Sequence, residues 1–277
     1  MKKIVFALAA VVMISSCKEN QASSEENTTA ETSKTAETSA KENSTSSEKM
    51  KESVEGNLRI YPISHASMVL MWDDTTIYVD PVGDVEQYDK YPKPDMVLVT
   101  HAHGDHFDQK VLGAVTTDKT TMVMPKHVSE QLKDNYMAKV HVMNNGDTTT
   151  LKSIKIEAVA MYNVREEAKN FHPKGKWNGY VIERDGKRVY ISGDTGPTEE
   201  MQNLKDIDVA FVCMNLPYTM TVESAAEAVL DFKPKKVYPY HYRGKDGLYD
   251  TDKFAQLVHE DSDEITVVSC EWYPERG

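Results

Sequence analysis

From Thr100 to Asp108 the chain reads THAHGDHFD, which sets His101, His103 and His106 beside the carboxylates of Asp105 and Asp108. Side chains two apart in an extended segment point the same way, so His101 and His103 can meet one ion from one side. Gly104 permits a sharp turn, after which Asp105 and His106 project from a loop. Imidazole and carboxylate donors suit borderline divalent cations, zinc foremost, with manganese and iron as alternatives. The competing reading is a hydrophilic loop with scattered histidines. It is the weaker one, because this H-x-H-x-D-H spacing arises by chance only about once per thousand chains of such composition.

Such a cluster needs rigid support on both sides. DMVLVT reads as a strand ending on Thr100, and DQKVLGAV as a helix opened by Asp108 at its N-cap. Upstream, LRIYPI, SMVLMW and TTIYVD read as three strands, with Asp73-Asp74 as a hairpin turn. Downstream, TMVMP and HVSEQLKD continue the strand–helix alternation. KVHVM, SIKIEAVAMY, NGYVIER and KRVYISGD read as strands, with turns at Asn145-Gly146 and Asp185-Gly186. A short helix from Pro197, strand IDVAFVCM, helix VESAAEAVLDF, strand KKVYPY, helix DKFAQLVHE and strand ITVVSC complete the chain. This pattern predicts an α+β fold of two stacked sheets with helices outside, in one domain over residues 57–277.

His101-Ala-His103-Gly-Asp105-His106 resembles the HxHxDH signature of the metallo-β-lactamase superfamily, and further motifs follow in that family's order. Ser192-Gly193-Asp194-Thr195 is similar to the "GDT" element, whose aspartate bridges two metals. Tyr240-His241-Tyr242 looks like the final metal histidine. Tyr78-Val79-Asp80-Pro81 is similar to the "IDP" element, whose aspartate supports the site from behind the ligands. The resemblance spans residues 58–270 and implies a four-layer αβ/βα sandwich holding two divalent metal ions, zinc foremost. By that likeness His101 and His103 hold the first metal, Asp105, His106 and His241 the second, and Asp194 bridges them. Asp105 and Asp194 are the catalytic carboxylates in that scheme, and the nucleophile is a metal-activated hydroxide.

One departure stands out. Most members place a further metal histidine in a strand between the first motif and "GDT", where this chain has Tyr162-Asn163. His172, nine residues on, is expected to supply that donor from a loop; the alternative is a surface histidine beside Pro173. His65, in ISHAS, resembles a "GHAS"-like element and is either a site residue or a packed turn histidine. Tyr218 either faces substrate or, the favoured reading, is buried against a backbone carbonyl. Lys174 and Lys176 are read as a solvated loop, and His127, His141 and His259 as structural or exposed.

A glutamate at position 103 would resemble oxygen-reducing di-iron relatives, so His103 favours hydrolysis. The 46 residues between Asp194 and His241 leave no room for the inserted domain of nucleic-acid-processing relatives. PYTMTVESAAEAVLDFKPKKVYPYHY looks most like the branch containing ascorbate-6-phosphate lactonases and N-acyl-phosphatidylethanolamine phospholipases. The expected activity is metal-dependent hydrolysis of a lactone or ester, or of a phosphodiester, in a small-molecule substrate. A metal-dependent oxidoreductase of the same fold and a non-catalytic binding lipoprotein are the alternatives; only the Tyr162-Asn163 departure favours the latter.

The first residues, MKKIVFALAAVVMISSC, follow the charged, apolar and small-residue plan of a signal peptide over 1–16, with an apolar run too short to span a bilayer comfortably. Ile14-Ser15-Ser16-Cys17 resembles a bacterial lipobox, which implies export, lipidation of Cys17 and anchoring to the cell envelope; a plain cleaved signal is the alternative. Lys18 is not the usual inner-membrane retention residue, which favours the outer membrane or cell surface. Residues 18–56 are rich in Ser, Thr, Glu and Lys, too polar to offset the entropy of ordering, and are expected to form a disordered tether. A net charge of −12 without a basic stripe argues against nucleic acid as a partner. Cys213 and Cys270 lie in apolar runs, and the sequence leaves open a disulfide or two buried thiols.

Overall fold

The computed structural model describes residues 50–133 and 136–274. The expected signal segment, Cys17 and the tether as far as residue 49 lie outside the described residues. Among the described residues no helix is long and apolar enough to cross a membrane.

The first sheet has seven strands in chain order: β1 (Ser53–Glu55), β2 (Leu58–Ser64), β3 (Ser67–Trp72), β4 (Thr75–Val79), β5 (Met96–Leu98), β6 (Thr121–Met124) and β7 (Lys139–Val142). β1 to β4 are antiparallel; β4 to β7 run parallel, with α1 (Gln109–Val115) between β5 and β6 and α2 (Lys126–Ser129) between β6 and β7. The second sheet repeats the plan. An antiparallel run of β8 (Thr148–Leu151), β9 (Ile154–Met161), β10 (Trp177–Arg184) and β11 (Lys187–Ile191) leads into parallel β12 (Val209–Cys213) and β13 (Lys236–Tyr240). A small ribbon of β14 (Arg243–Gly244) and β15 (Gly247–Leu248) follows, and β16 (Thr266–Val267) closes the sheet beside β13. The helices of this half are α3 (Glu199–Gln202), α4 (Val222–Phe232) and α5 (Thr251–Asp261).

The sheets meet through their apolar faces, Leu58, Ile60, Leu70 and Ile77 from the first belonging to one core with Ile156, Tyr180, Ile182 and Phe211 from the second. β4 and β12 are buried along their whole length, which explains why TTIYV and VAFVC do not alternate. Behind the first sheet, Val69, Tyr78 and Val97 share a second core with Val111, Leu112 and Val115 of α1. Each fully buried Leu or Val contributes about 1.5–3 kcal/mol, so α1 is a firm backstop for the loop that precedes it. Asp108 caps α1 as expected, accepting from the amides of Lys110 and Val111.

Two expectations are corrected. The folded part begins before residue 57, because β1 pairs with β2 and the Glu271 amide donates to the Met50 carbonyl at 2.9 Å. Its polar composition hid this strand, which is held by Ser53 and Glu55 at the Tyr238 hydroxyl and by Lys236 on Glu55. The helix expected in HVSEQLKD shrinks to the single turn of α2; β8, left unassigned in the sequence, is a further strand. Arg184, unremarked in the sequence, is buried; its guanidinium donates to the Trp72 carbonyl (2.6 Å) and Thr75 Oγ1 (2.8 Å) at the β3–β4 turn and to the Lys152 carbonyl (2.6 Å) at the β8–β9 turn. It ties the two sheets together.

Candidate metal centre

β5 delivers Thr100 and His101 to the end of the first sheet, and the turn after them is closed by the amides of His106 and Phe107 donating to the His103 carbonyl (2.9 and 2.8 Å). β11 delivers Asp194 from the second sheet. Gly193 before it has φ +59°, and a Cβ there would lie 2.5 Å from the Met161 sulfur, so only glycine serves. β13 delivers His241. Asp80, His65 and His241 all hold left-handed backbone conformations, φ +42°, +58° and +47°. Such conformations cost of order 1–3 kcal/mol each and gather at functional sites.

The side chains converge. His106 Nε2 and His241 Nε2 each lie 3.3 Å from Asp194 Oδ1, and His172 Nε2 lies 3.5 Å and His101 Nε2 4.0 Å from Asp194 Oδ2. Asp105 Oδ2 lies 3.4 Å from His241 Nε2 and 4.0 Å from His106 Nε2. The donor atoms of His101, His103 and His172 lie within 4.8 Å of one another, as do those of His101, His106 and Asp194 and those of His65, Asp105 and His241. The Nε2 atoms of His101, His106, His172 and His241, and Asp194 Oδ1, are buried without a hydrogen-bond partner.

The tautomers follow from what lies behind the rings. Thr100 spends its hydroxyl proton on Asp80 Oδ2 (2.7 Å), so at 2.9 Å it accepts from His101 Nδ1. Asp80 Oδ2 accepts from His106 Nδ1 at 2.7 Å, and Oδ1 from the Thr100 amide. One buried carboxylate therefore orients both imidazoles and leaves each Nε2 lone pair bare. At His172 the Tyr218 carbonyl accepts from Nδ1 at 3.2 Å. Asn163 does not compete for that nitrogen, because its two amide hydrogens go to the carbonyls of Ala168 (2.9 Å) and Tyr218 (2.6 Å). Asn163 thus fastens the His172 loop; its backbone amide also donates to the His172 carbonyl at 2.9 Å. His65 faces the other way, with Nε2 3.2 Å from Asp105 Oδ2 and Nδ1 2.7 Å from the Tyr273 hydroxyl.

Burial keeps His101, His103 and His65 below the ordinary imidazole value and lowers His172 to about 4, the neutral, lone-pair-bearing form. Burial also disfavours charge on His106 and Asp194, but their mutual attraction outweighs it: His106 is raised and, with His241 adding to it, Asp194 is held well below the carboxylate range. These donors suit a pair of divalent cations: nitrogen-rich, with two carboxylates, and orphaned at the atoms that face inward.

The sequence profile of the β-lactamase superfamily domain matches residues 75–242, more than half of the chain and all of these donors except His65. The chain belongs to that superfamily. Within it the chain falls among the UPF0173 metal-dependent hydrolases: it is 32% identical over 176 residues to one from Thermococcus onnurineus, covering 62% of this chain and 77% of that relative. Two solved structures are similar. A protein assigned as a metal-dependent hydrolase from Parabacteroides distasonis has TM-score 0.68 and 39% identity, over 77% of this chain and 93% of that one. A metallo hydrolase from Ignicoccus hospitalis has TM-score 0.64 and 25% identity, over 77% and 95%. The superfamily's two mixed sheets flanked by helices are the four-layer sandwich expected from the motifs.

The superfamily site opens on a cavity of about 420 Å³ lined by His65, His103, Asp105, Asp194 and His241, together with Phe171, Tyr218, Arg243 and Lys245. The expectation of a buried Tyr218 is corrected: the residue is 37% exposed, its ring edge to face with Phe171, and its carbonyl is the part that holds His172. Lys174 is ion-paired to Glu200 at 3.4 Å. Asn163 was noted in the sequence only as standing where a metal histidine was expected, and Thr100, Arg243 and Tyr273 were not singled out as site residues. Only Thr100 carried a local signal, its place directly before His101. Cys213 and Cys270 are free and buried.

Proposed function

We propose that this metal-dependent hydrolase uses two divalent cations, zinc foremost, to cleave a lactone or ester, or a phosphodiester, of a small molecule. The supporting observation is the convergence of four orphaned histidine Nε2 atoms on Asp194. A buried polar atom left unpaired costs about 1–3 kcal/mol, and cations among them remove that cost. His101, His103 and His172 would hold one cation and Asp105, His106 and His241 the other, with Asp194 between. When bound, such a pair acidifies water and polarises the scissile group.

The chain's residues do the rest. Asp80 and Thr100 hold His101 and His106 in the donor tautomer, and Asn163 and the Tyr218 carbonyl hold His172. Phe171 and Tyr218 wall the substrate. The oxygen of one water joins the acyl carbon or phosphorus, the bond to the leaving oxygen breaks, and a proton of that water ends on the leaving oxygen. The likeness of residues 217–242 to the ascorbate-6-phosphate lactonase branch supports the lactone or ester. Histidine at position 103 speaks against the oxidoreductase reading.

The test is metal content per chain in the full-length protein and in His172→Ala. The expected result is about two zinc ions falling to about one; no bound metal after reconstitution overturns the reading. We further propose export and lipid anchoring at Cys17, supported by the lipobox-like ending and the polar tether. Palmitate label incorporated by the parent and lost in Cys17→Ser tests it.

A further inference from the structure

We infer that the cavity selects substrates carrying an oxyanion, a carboxylate or phosphate, remote from the bond that is cleaved, and that Arg243 with Lys245 receives it. The inference rests on the hydrolase reading above and deepens it.

Both cations line the cavity two and four residues beyond His241. The chain is strongly acidic, and the other described arginines each find a carboxylate: Arg59 with Glu52 (3.8 Å), Arg165 with Glu167 (2.7 Å), Arg184 with Asp73 (3.5 Å) and Arg188 with Glu183 (2.9 Å). Among the described residues, no carboxylate lies within 4.0 Å of Arg243 or Lys245. Of the two carboxylates that share the cavity with them, Asp105 is already engaged by His65 (3.2 Å) and His241 (3.4 Å), and Asp194 by His106 and His241 (3.3 Å each).

Arg243 is also held in place. Its guanidinium lies over the Tyr273 ring, 4.2 Å from the centroid, and its amide donates to the Tyr273 hydroxyl at 3.0 Å. Gly244 admits no side chain, since a Cβ would meet the Leu216 carbonyl and the Tyr249 ring, and the Lys245 amide donates to that same carbonyl at 3.1 Å. The ribbon is thus fixed by backbone contacts, and the guanidinium is a pre-ordered fork of the kind that binds carboxylate and phosphate in bidentate fashion. Phe171 and Tyr218, which also line the cavity, meet edge to face at 5.1 Å and offer an apolar surface. A ligand that satisfies all three surfaces has a scissile group at the metal donors, an apolar body and an anionic end.

The test compares three 4-nitrophenyl esters with the metal-loaded full chain: the neutral butyrate, the glutarate monoester and the 4-phosphonobutyrate. Water adds across each ester to give the free acid and 4-nitrophenol. The expected result is a kcat/KM at least about tenfold higher for an anionic ester than for the butyrate, carried by KM, because a charge-assisted hydrogen bond is worth that much. The carboxylate and phosphonate arms tell which oxyanion is preferred. Arg243→Gln combined with Lys245→Gln brings the ratio close to one, whereas Lys174→Gln, outside the cavity, keeps it. No preference in the parent, or a preference that survives the double variant, overturns the inference. Titration calorimetry of glutaramate, which carries the same carboxylate and no ester, into parent and double variant reads the receptor without ester turnover: if none of the esters is cleaved, the hydrolase reading fails separately, and equal affinities overturn the receptor.

Discussion

Tyr273 and His65, 208 residues apart, share a 2.7 Å hydrogen bond between hydroxyl and Nδ1 that gives His65 the opposite tautomer to the donor histidines around it. Asp105 can only accept, so His65 Nε2 must carry the proton it presents at 3.2 Å. Burial keeps the ring neutral, so Nδ1 is the acceptor and the tyrosine hydroxyl donates. His65 thus has no lone pair facing the metal donors, and its work is to position Asp105. In Tyr273→Phe and His65→Ala the second metal is expected to bind about 10–100-fold more weakly, read by competition with a chelating dye. Unchanged affinity in both would leave His65 a packing residue.

Asn163→Ala frees the His172 loop without touching a donor. Metal affinity at the first position should fall by a similar factor, about 10–100-fold. Saturating zinc should restore the content of the parent, which distinguishes loss of positioning from the loss of a ligand in His172→Ala.

Removing metal exposes the acid sensitivity of the cluster. Groups whose folded pKa is lowered stabilise the fold above their unfolded value, and that stability is lost as pH falls through the folded one. For His65, His101, His103 and His172 the loss begins near the ordinary 6.5, and for His172 it runs to about 4. Asp105 and Asp194, also lowered, extend it below 3.8. His106, raised, contributes stability that is fully present below 6.5 and is lost only as pH rises above it, so it leaves this window unchanged. The urea midpoint of chelator-treated protein should therefore fall steadily from about pH 6.5 to 4; a flat profile would contradict the burial of neutral imidazoles.

Arg184→Met removes a buried fork from three acceptors on two sheets. A loss of about 2–4 kcal/mol in unfolding free energy is expected from orphaned carbonyls and the broken tie. Metal stoichiometry should stay as in the parent, because the guanidinium touches the β3–β4 and β8–β9 turns and none of the donors.

Burial pushes the Cys213 and Cys270 thiols up to about 12. In a Cys17→Ser chain neither should react with a thiol reagent at about pH 8 until denaturant is added. A fast-reacting thiol in native protein would mean that one of the two is open to solvent.

The readable part of the site was the part written in local spacing. The two-residue period placed His101 and His103, and Asp108 marked the helix behind them. Asp80, Asp194 and His241 were legible because each ends an apolar strand in a familiar short motif. His172 could be singled out, but the reason it works could not. Its support comes from Asn163, which reaches carbonyls five and 55 residues away, and such distances leave no mark on neighbouring residues. Tyr273 and Arg243 are hidden for the same reason. β1 was missed because three residues in a polar run show no period, and they become a strand only when β2 offers an edge.

Met50 runs parallel to Cys270 in an isolated bridge, so the first and last described segments of the fold are neighbours. The sheets are built from consecutive halves of the chain, β1 to β7 and β8 to β16, which divide at the Asn145-Gly146 turn. Circular permutation follows naturally from this. A chain spanning the described fold, with Met50 joined to Pro274 by a short linker and reopened between Asn145 and Gly146, would write the second sheet before the first and keep nearly every strand beside its present partner.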